Sequence, residues 1–163
     1  MAITICVIGE SGTGKSTSTG RIPELDIEGL DPKVTAFINV MDKPLPFRGS
    51  KKSYGTKISE GGNYAAVTDG IDMLGLLQHI NDTRLDIKNV VIDDFQFIMA
   101  DEFMKKAMIK SYDKFNEIGK HAYDVITYGK NMREDINFIA LTHSDYDDKA
   151  GVHKMKTIGE HFA

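Results

Sequence analysis

Nine consecutive residues, Gly9, Glu10, Ser11, Gly12, Thr13, Gly14, Lys15, Ser16 and Thr17, carry the residue types that hold a phosphate chain. Gly9, Gly14, Lys15 and Ser16 fit the spacing G-x-x-x-x-G-K-[ST]. Glycines let the backbone approach phosphate oxygens closely and take positive φ. Successive N–H groups can then converge as an anion nest. A lysine in this place suits β- and γ-phosphates, and the following hydroxyl suits Mg²⁺. The pattern predicts a short helix beginning near Gly14, whose positive dipole end faces the same anion. A glycine-rich hairpin with an incidental lysine is the bland alternative. Against it stands the apolar run Ile3 to Ile8 (ITICVI) directly before the loop, which reads as a buried parallel strand.

A second apolar run, Val90-Val91-Ile92, ends in Asp93 and Asp94. Asp93 is placed to hold Mg²⁺ through bound water or through Ser16. Asp94 is placed as general base for an attacking water, with Asp42 and Gln96 as rivals for orienting or activating it. The structural alternative is a helix N-cap, because a helical pattern follows. Leu141-Thr142-His143-Ser144 ends another apolar run. Thr142 or His143 could sense phosphate or water there; a polar strand end before the acidic turn Asp145 to Asp148 is equally compatible. Lys154 and Lys156 alternate on a possible strand and so share a face. They could bring positive charge to a γ-phosphate of a neighbouring subunit, or be solvated lysines. The stretch RGSKKSYGTK (residues 48–57) sets Arg48, Lys51, Lys52 and Lys57 around Tyr54, a composition suited to single-stranded nucleic acid as well as to a solvated loop. The histidines lack metal-ligand spacing, and His121 reads as a surface or packed residue.

These groups need a scaffold that brings distant strand ends together. Ile3 to Ile8, Lys33 to Val40, Asn89 to Asp93 and Ile136 to Leu141 read as strands one to four. Pro23 keeps the helix after the phosphate loop short. Residues 41–64, with Pro44, Pro46 and four glycines, read as loop with room for a hairpin. Thr68 looks like an N-cap for a helix reaching about Asn81, with Met73, Leu76, Leu77 and Ile80 at helical spacing. Helical patterns follow around 95–109 and 116–133, and a terminal hairpin is expected about Gly151. Near-continuous apolar strands alternating with helices predict a three-layer α/β fold with a mainly parallel sheet. Strand four is expected between strands one and three. Ligands then bind at the carboxyl ends of the strands, where every polar group above falls.

The chain has 163 residues, the length of one domain. Such a domain buries enough surface to need no disulfide or structural zinc. The lone Cys6 reads as a buried small hydrophobe in a reducing compartment, and the chain as cytoplasmic. The net charge of −4 does not suggest a strongly basic nucleic-acid binder. No apolar stretch reaches the ~20 residues of a membrane span, and a strand at the N-terminus leaves no signal peptide in view.

GESGTGKST, DKPLPF (residues 42–47), VIDDFQFIMADEF (91–103), YDKFNEIGKHAYDVI (112–126), LTHSD (141–145) and KMKTIGE (154–160) together resemble a phage-encoded AAA-family ATP-binding protein. Such proteins are similar to RecA in fold, and some act as single-strand annealing ATPases in phage recombination. The resemblance implies one P-loop ATPase domain over 1–163 with ATP and Mg²⁺ as cofactors. It further implies homo-oligomers, single-stranded DNA as a partner and the host cytoplasm as location. Gly9 to Thr17 would cradle ATP, Asp93 would hold the metal, and Lys154 and Lys156 would act as a finger across a subunit interface. Related proteins continue past the segment KTIGE, so a short member or a truncated chain is expected, and a missing tail would weaken assembly. Two other functions compete: a small P-loop kinase, for which the four arginines show no lid, and a non-catalytic ATP-dependent binding module. No N-K-x-D segment supports a GTPase.

Overall fold

The computed structural model describes residues 1–157. In chain order the elements are β1 (Ile3–Gly9), β2 (Thr35–Asn39), α1 (Ser50–Ser53), β3 (Tyr64–Ala66), α2 (Gly70–Thr83), β4 (Asn89–Asp93), α3 (Gln96–Lys105), α4 (Asp113–Asn131), β5 (Asn137–Asp147) and β6 (Val152–Met155). The six strands form one sheet in the order β1-β5-β4-β2-β3, with β6 on the far half of β5. All pairings are parallel except β5 with β6. The strand at Asn137 thus lies between those at Ile3 and Asn89, as expected. A parallel sheet buries both faces of its inner strands, and all five residues of β2 and of β4 are buried.

The two faces are covered differently. Ala36, Ile38, Val90, Ile92, Phe138 and Ala140 pack under Met73, Leu77 and Ile80 of α2, Ile98 and Met99 of α3, and Ile118, Ala122 and Val125 of α4. These spacings of three and four residues put each apolar stripe on one helix face. The opposite face, with Phe37, Val91, Ile139 and Leu141, lies under Tyr54, Leu30, Leu45 and Phe47. Those covering residues lie in irregular chain, Tyr54 directly after the four-residue α1. The expected third layer is therefore an irregular cover and not a layer of helices. The expected hairpin within 41–64 is instead α1, a 3₁₀ turn and β3, which runs parallel to β2.

Three local expectations are corrected. No α-helix follows the phosphate loop; only a 3₁₀ turn forms, at Thr17–Thr19. Hydroxyls there compete for the backbone, since Ser18 Oγ donates to Lys15 O and Thr19 Oγ1 to Ser16 O, both at 2.7 Å. Gly20 then extends the chain ahead of Pro23. The helix-dipole contribution is accordingly absent. Second, β1 is an edge strand: Cys6 is exposed, and Ile3 and Ile5 are 61% and 41% exposed. The run was apolar enough for a central strand, but its outer edge has no neighbour among the described residues. Third, Asp69, not Thr68, caps α2, accepting from the N–H groups of Ile71 and Asp72. Thr68 donates its hydroxyl to Val40 O. The terminal hairpin is present as β5–β6, with Gly151 at φ +66° in the turn. No helix among the described residues is long and apolar enough to cross a membrane.

Candidate functional site

β1 delivers Gly9 to the carboxyl edge of the sheet, opposite His143 in the β5 register. Gly9 is required there by space, because a Cβ would lie 2.9 Å from Thr13 Oγ1. Gly12 and Gly14 have φ of +79° and +88°, the left-handed region that glycine enters without cost. Thr13 folds back onto Glu10 O through both its N–H and its hydroxyl. The N–H groups of Gly14, Lys15, Ser16 and Thr17 donate to no acceptor among the described residues. Lys15 Nζ closes over the loop, donating to Gly9 O and Glu10 O at 2.7 Å each. Four amides without an acceptor among the described residues and one ammonium lie on this loop, a donor set that can serve as an anion cradle without a helix behind it.

β4 brings the first acid to this cradle. Ser16 Oγ donates to Asp93 Oδ1 at 2.7 Å, joining residues 77 positions apart. Asp93 is fully buried. Its Oδ2 has no hydrogen-bond partner among the described residues, and neither has the buried Oδ1 of Asn39, its register neighbour on β2. Burial pushes the Asp93 carboxyl up; the Ser16 hydroxyl pulls it back, the Asp94 charge raises it further, and Lys43 lowers it. Two orphaned acceptor oxygens beside a hydroxyl form a hard oxygen donor set of the kind Mg²⁺ takes, directly or through water.

Asp94 has φ +62° and is 3% exposed at its side chain. Non-glycine residues rarely adopt this conformation, and Asp tolerates it better than most. Its Oδ2 forms an ion pair with Lys43 Nζ, and its Oδ1 lies 3.4 Å from His143 Nε2. It does not cap α3, which has no side-chain N-cap. Lys43 was not singled out from the sequence. Its only signal was its place just beyond the end of β2. The turn that presents it is fixed: Asn39 Nδ2 donates to Lys43 O at 2.6 Å, and Asp42 sits at φ +49°. Asp42 Oδ1 accepts the Tyr64 hydroxyl at 2.9 Å, which faces this rival base away toward β3. Burial, then Asp42, pushes that phenol up to about 12.

The middle of β5, where its parallel pairing with β1 stops, completes the rim. Gln96 Oε1 accepts from Thr142 Oγ1 at 3.0 Å and from the His143 N–H at 3.1 Å, and its buried Nε2 has no partner among the described residues. Thr142 is fully buried in this contact. His143 stands at the front, edge-on to Phe97. Burial pushes its imidazole below the usual range; Asp94 opposes this, and the charges of Lys15, Lys43 and Lys156 reinforce it. Lys156, whose N–H donates to His143 O, therefore stands near its own chain's cradle. Lys154 is committed to Asp147 at 3.2 Å.

Two other candidates resolve differently. Tyr54 of the basic stretch is 5% exposed and packs on Phe37 and Phe47. It is a core residue, so it presents no face on which a base could stack. His121 joins Glu102 and Glu117 in a cluster, but Lys106 Nζ lies within 2.7 Å of both carboxylates and His121 Nδ1 bonds Glu102. The lysine already balances this charge.

No protein-family model matches the sequence, and no curated protein matches it. The fold itself is an α/β fold. Its six-strand, mainly parallel sheet in the order β1-β5-β4-β2-β3 is consistent with a Rossmann-like or P-loop-like arrangement.

Proposed function

We propose that this chain is a P-loop ATPase of RecA-like fold, binding Mg²⁺·ATP at the cradle and hydrolysing it in phage DNA recombination or replication. The observation that carries the nucleotide reading is the 2.7 Å bond from Ser16 to Asp93. The phosphate-loop reading is supported by a loop hydroxyl bonded to a buried acid, beside four amides that have no acceptor among the described residues. In this reading the amides of Gly14 to Thr17 take the phosphate oxygens. Lys15 leaves the carbonyls of Gly9 and Glu10 for the β- and γ-phosphates. Ser16 and Asp93 hold Mg²⁺, which when bound neutralises charge on the β- and γ-oxygens.

Hydrolysis forms a bond from water oxygen to the γ-phosphorus and breaks the bond to the β-bridging oxygen, which leaves with ADP. The water proton passes to Asp94, the carboxylate that follows Asp93 at the end of β4. Gln96 Nε2, with its amide orientation fixed by the His143 N–H, is a spare donor at the same edge. Lys156 supports a role within its own chain; the pairing of Lys154 with Asp147 counts against a finger reaching a neighbour. The recombination context rests on the resemblance, together with the exposed Lys51 and Lys52. Phosphate release from ATP is the test, measured with and without Mg²⁺ and single-stranded DNA over a range of protein concentrations. Mg²⁺-dependent release that DNA or self-association raises is the expected result. Transfer of phosphate to an acceptor other than water would favour a kinase, and binding without turnover a nucleotide-dependent module.

A further inference from the structure

Lys43 and Asp94 form an unequal pair. The carboxylate is 3% exposed and fixed by a left-handed backbone; the ammonium is on a side chain 46% exposed. The backbone under Lys43 is clamped by Asn39, so the carbonyl stays while the four-carbon stem can swing. It borders an open cleft of about 410 Å³ with Tyr64 and Lys51, which leaves room for that movement. The carboxylate that Lys43 pairs with lies 3.4 Å from His143 Nε2, and His143 is the β5 register partner of Gly9, so the pair stands at the strand edge that carries the phosphate loop. A triphosphate there adds several negative charges, more than the single charge of Asp94, and it accepts from an ammonium without requiring the ammonium to leave water entirely.

We infer that Lys43 is a second phosphate-binding ammonium, restrained by Asp94 until a γ-phosphate draws it away. This rests on the nucleotide reading above. The exchange is one of ion pairs: Lys43 passes from the carboxylate to a phosphate oxygen, and no covalent bond changes. Its consequence is that Asp94 keeps an ammonium while the site is empty or holds a diphosphate. Once Lys43 is drawn off, Asp94 is left facing His143 alone.

The test compares affinity for a non-hydrolysable ATP analogue with that for ADP, both with Mg²⁺, by calorimetry. Wild type, Lys43→Gln, Lys43→Arg and Asp94→Asn are measured, each shown folded by circular dichroism. The inference predicts that Lys43→Gln lowers the triphosphate-to-diphosphate ratio about tenfold, the loss of one charge-assisted contact. Lys43→Arg restores most of it, and Asp94→Asn raises it severalfold by removing the competitor. A ratio unchanged in Lys43→Gln, or not raised in Asp94→Asn, overturns the inference while leaving the nucleotide site intact. A wild-type chain that binds neither nucleotide overturns both this and the reading beneath it.

Discussion

Lys15 shows most directly how one residue can matter for the ligand and not for the fold. Among the described residues its ammonium is bonded only to Gly9 O and Glu10 O, on a loop at the surface where water can replace it. Lys15→Ala is therefore expected to leave the melting temperature within ~2 °C of wild type. The same change removes two or more charged hydrogen bonds to phosphate, each worth about 1.5–3 kcal/mol. Nucleotide affinity should fall at least about a hundredfold; calorimetry and a thermal melt on one sample check both halves. The residue types of this site were legible because phosphate chemistry constrains them so tightly: Gly9, Lys15, Ser16 and Asp93 each have one place to go. Lys43 was not legible. An ion pair between a loop lysine and a strand-end acid depends on the turn 39–43, whose shape is set by Asp42 in the left-handed region and by Tyr64 on β3. Tyr54 failed for the converse reason. Its basic neighbours suggested an exposed ring, while the sheet needed an aromatic cover over Phe37.

At the scale of elements, the contacts that hold the site's scaffold are specific enough to break singly. Arg133 follows α4 and closes the end of α2. Its guanidinium donates to the carbonyls of Ile80, Asn81, Arg84 and Ile87, and to Asp135. A helix end leaves carbonyls without partners, and this side chain supplies them. Arg133→Met should cost about 3 kcal/mol, because several buried carbonyls lose charged donors at once, lowering the melting temperature by roughly 6–12 °C. Gly129 is where α4 crosses β5. A Cβ there would meet ring carbons of Phe138 at 2.4–2.5 Å. Gly129→Ala gains about 1 kcal/mol in helix propensity but forces apart a fully buried contact at about 1–3 kcal/mol. Net destabilisation in urea is the expected outcome. β2, β4 and β5 were readable because buried parallel strands are simple apolar runs. β1 shares that composition, so its edge position could not be read from it. The missing helix after the loop was half visible: Pro23 shortened it, but the serine and threonine hydroxyls that unwind Ser16 to Thr19 act through geometry.

For the whole molecule, the carboxyl edge of the sheet is where β1, β2 and β4 end and β5 runs on toward β6, and it gathers Lys15, Asn39, Asp93 and His143 from four separate stretches of chain. A ligand that ties these together binds the folded chain alone. At a concentration 100 times Kd it adds about 2.7 kcal/mol, or roughly 5–10 °C in melting temperature for a chain of this size. Mg²⁺·ATP should give that shift, and ATP with a chelator a smaller one. The central claim is that Ser16 and Asp93 share one magnesium ion beside a triphosphate. A crystal structure with Mg²⁺ and a non-hydrolysable ATP analogue tests it most directly. The account predicts the phosphates on the amides of Gly14 to Thr17, and a metal about 2.1 Å from Ser16 Oγ with Asp93 behind it. A nucleotide bound elsewhere, or a metal that leaves the Ser16–Asp93 pair untouched, would contradict it.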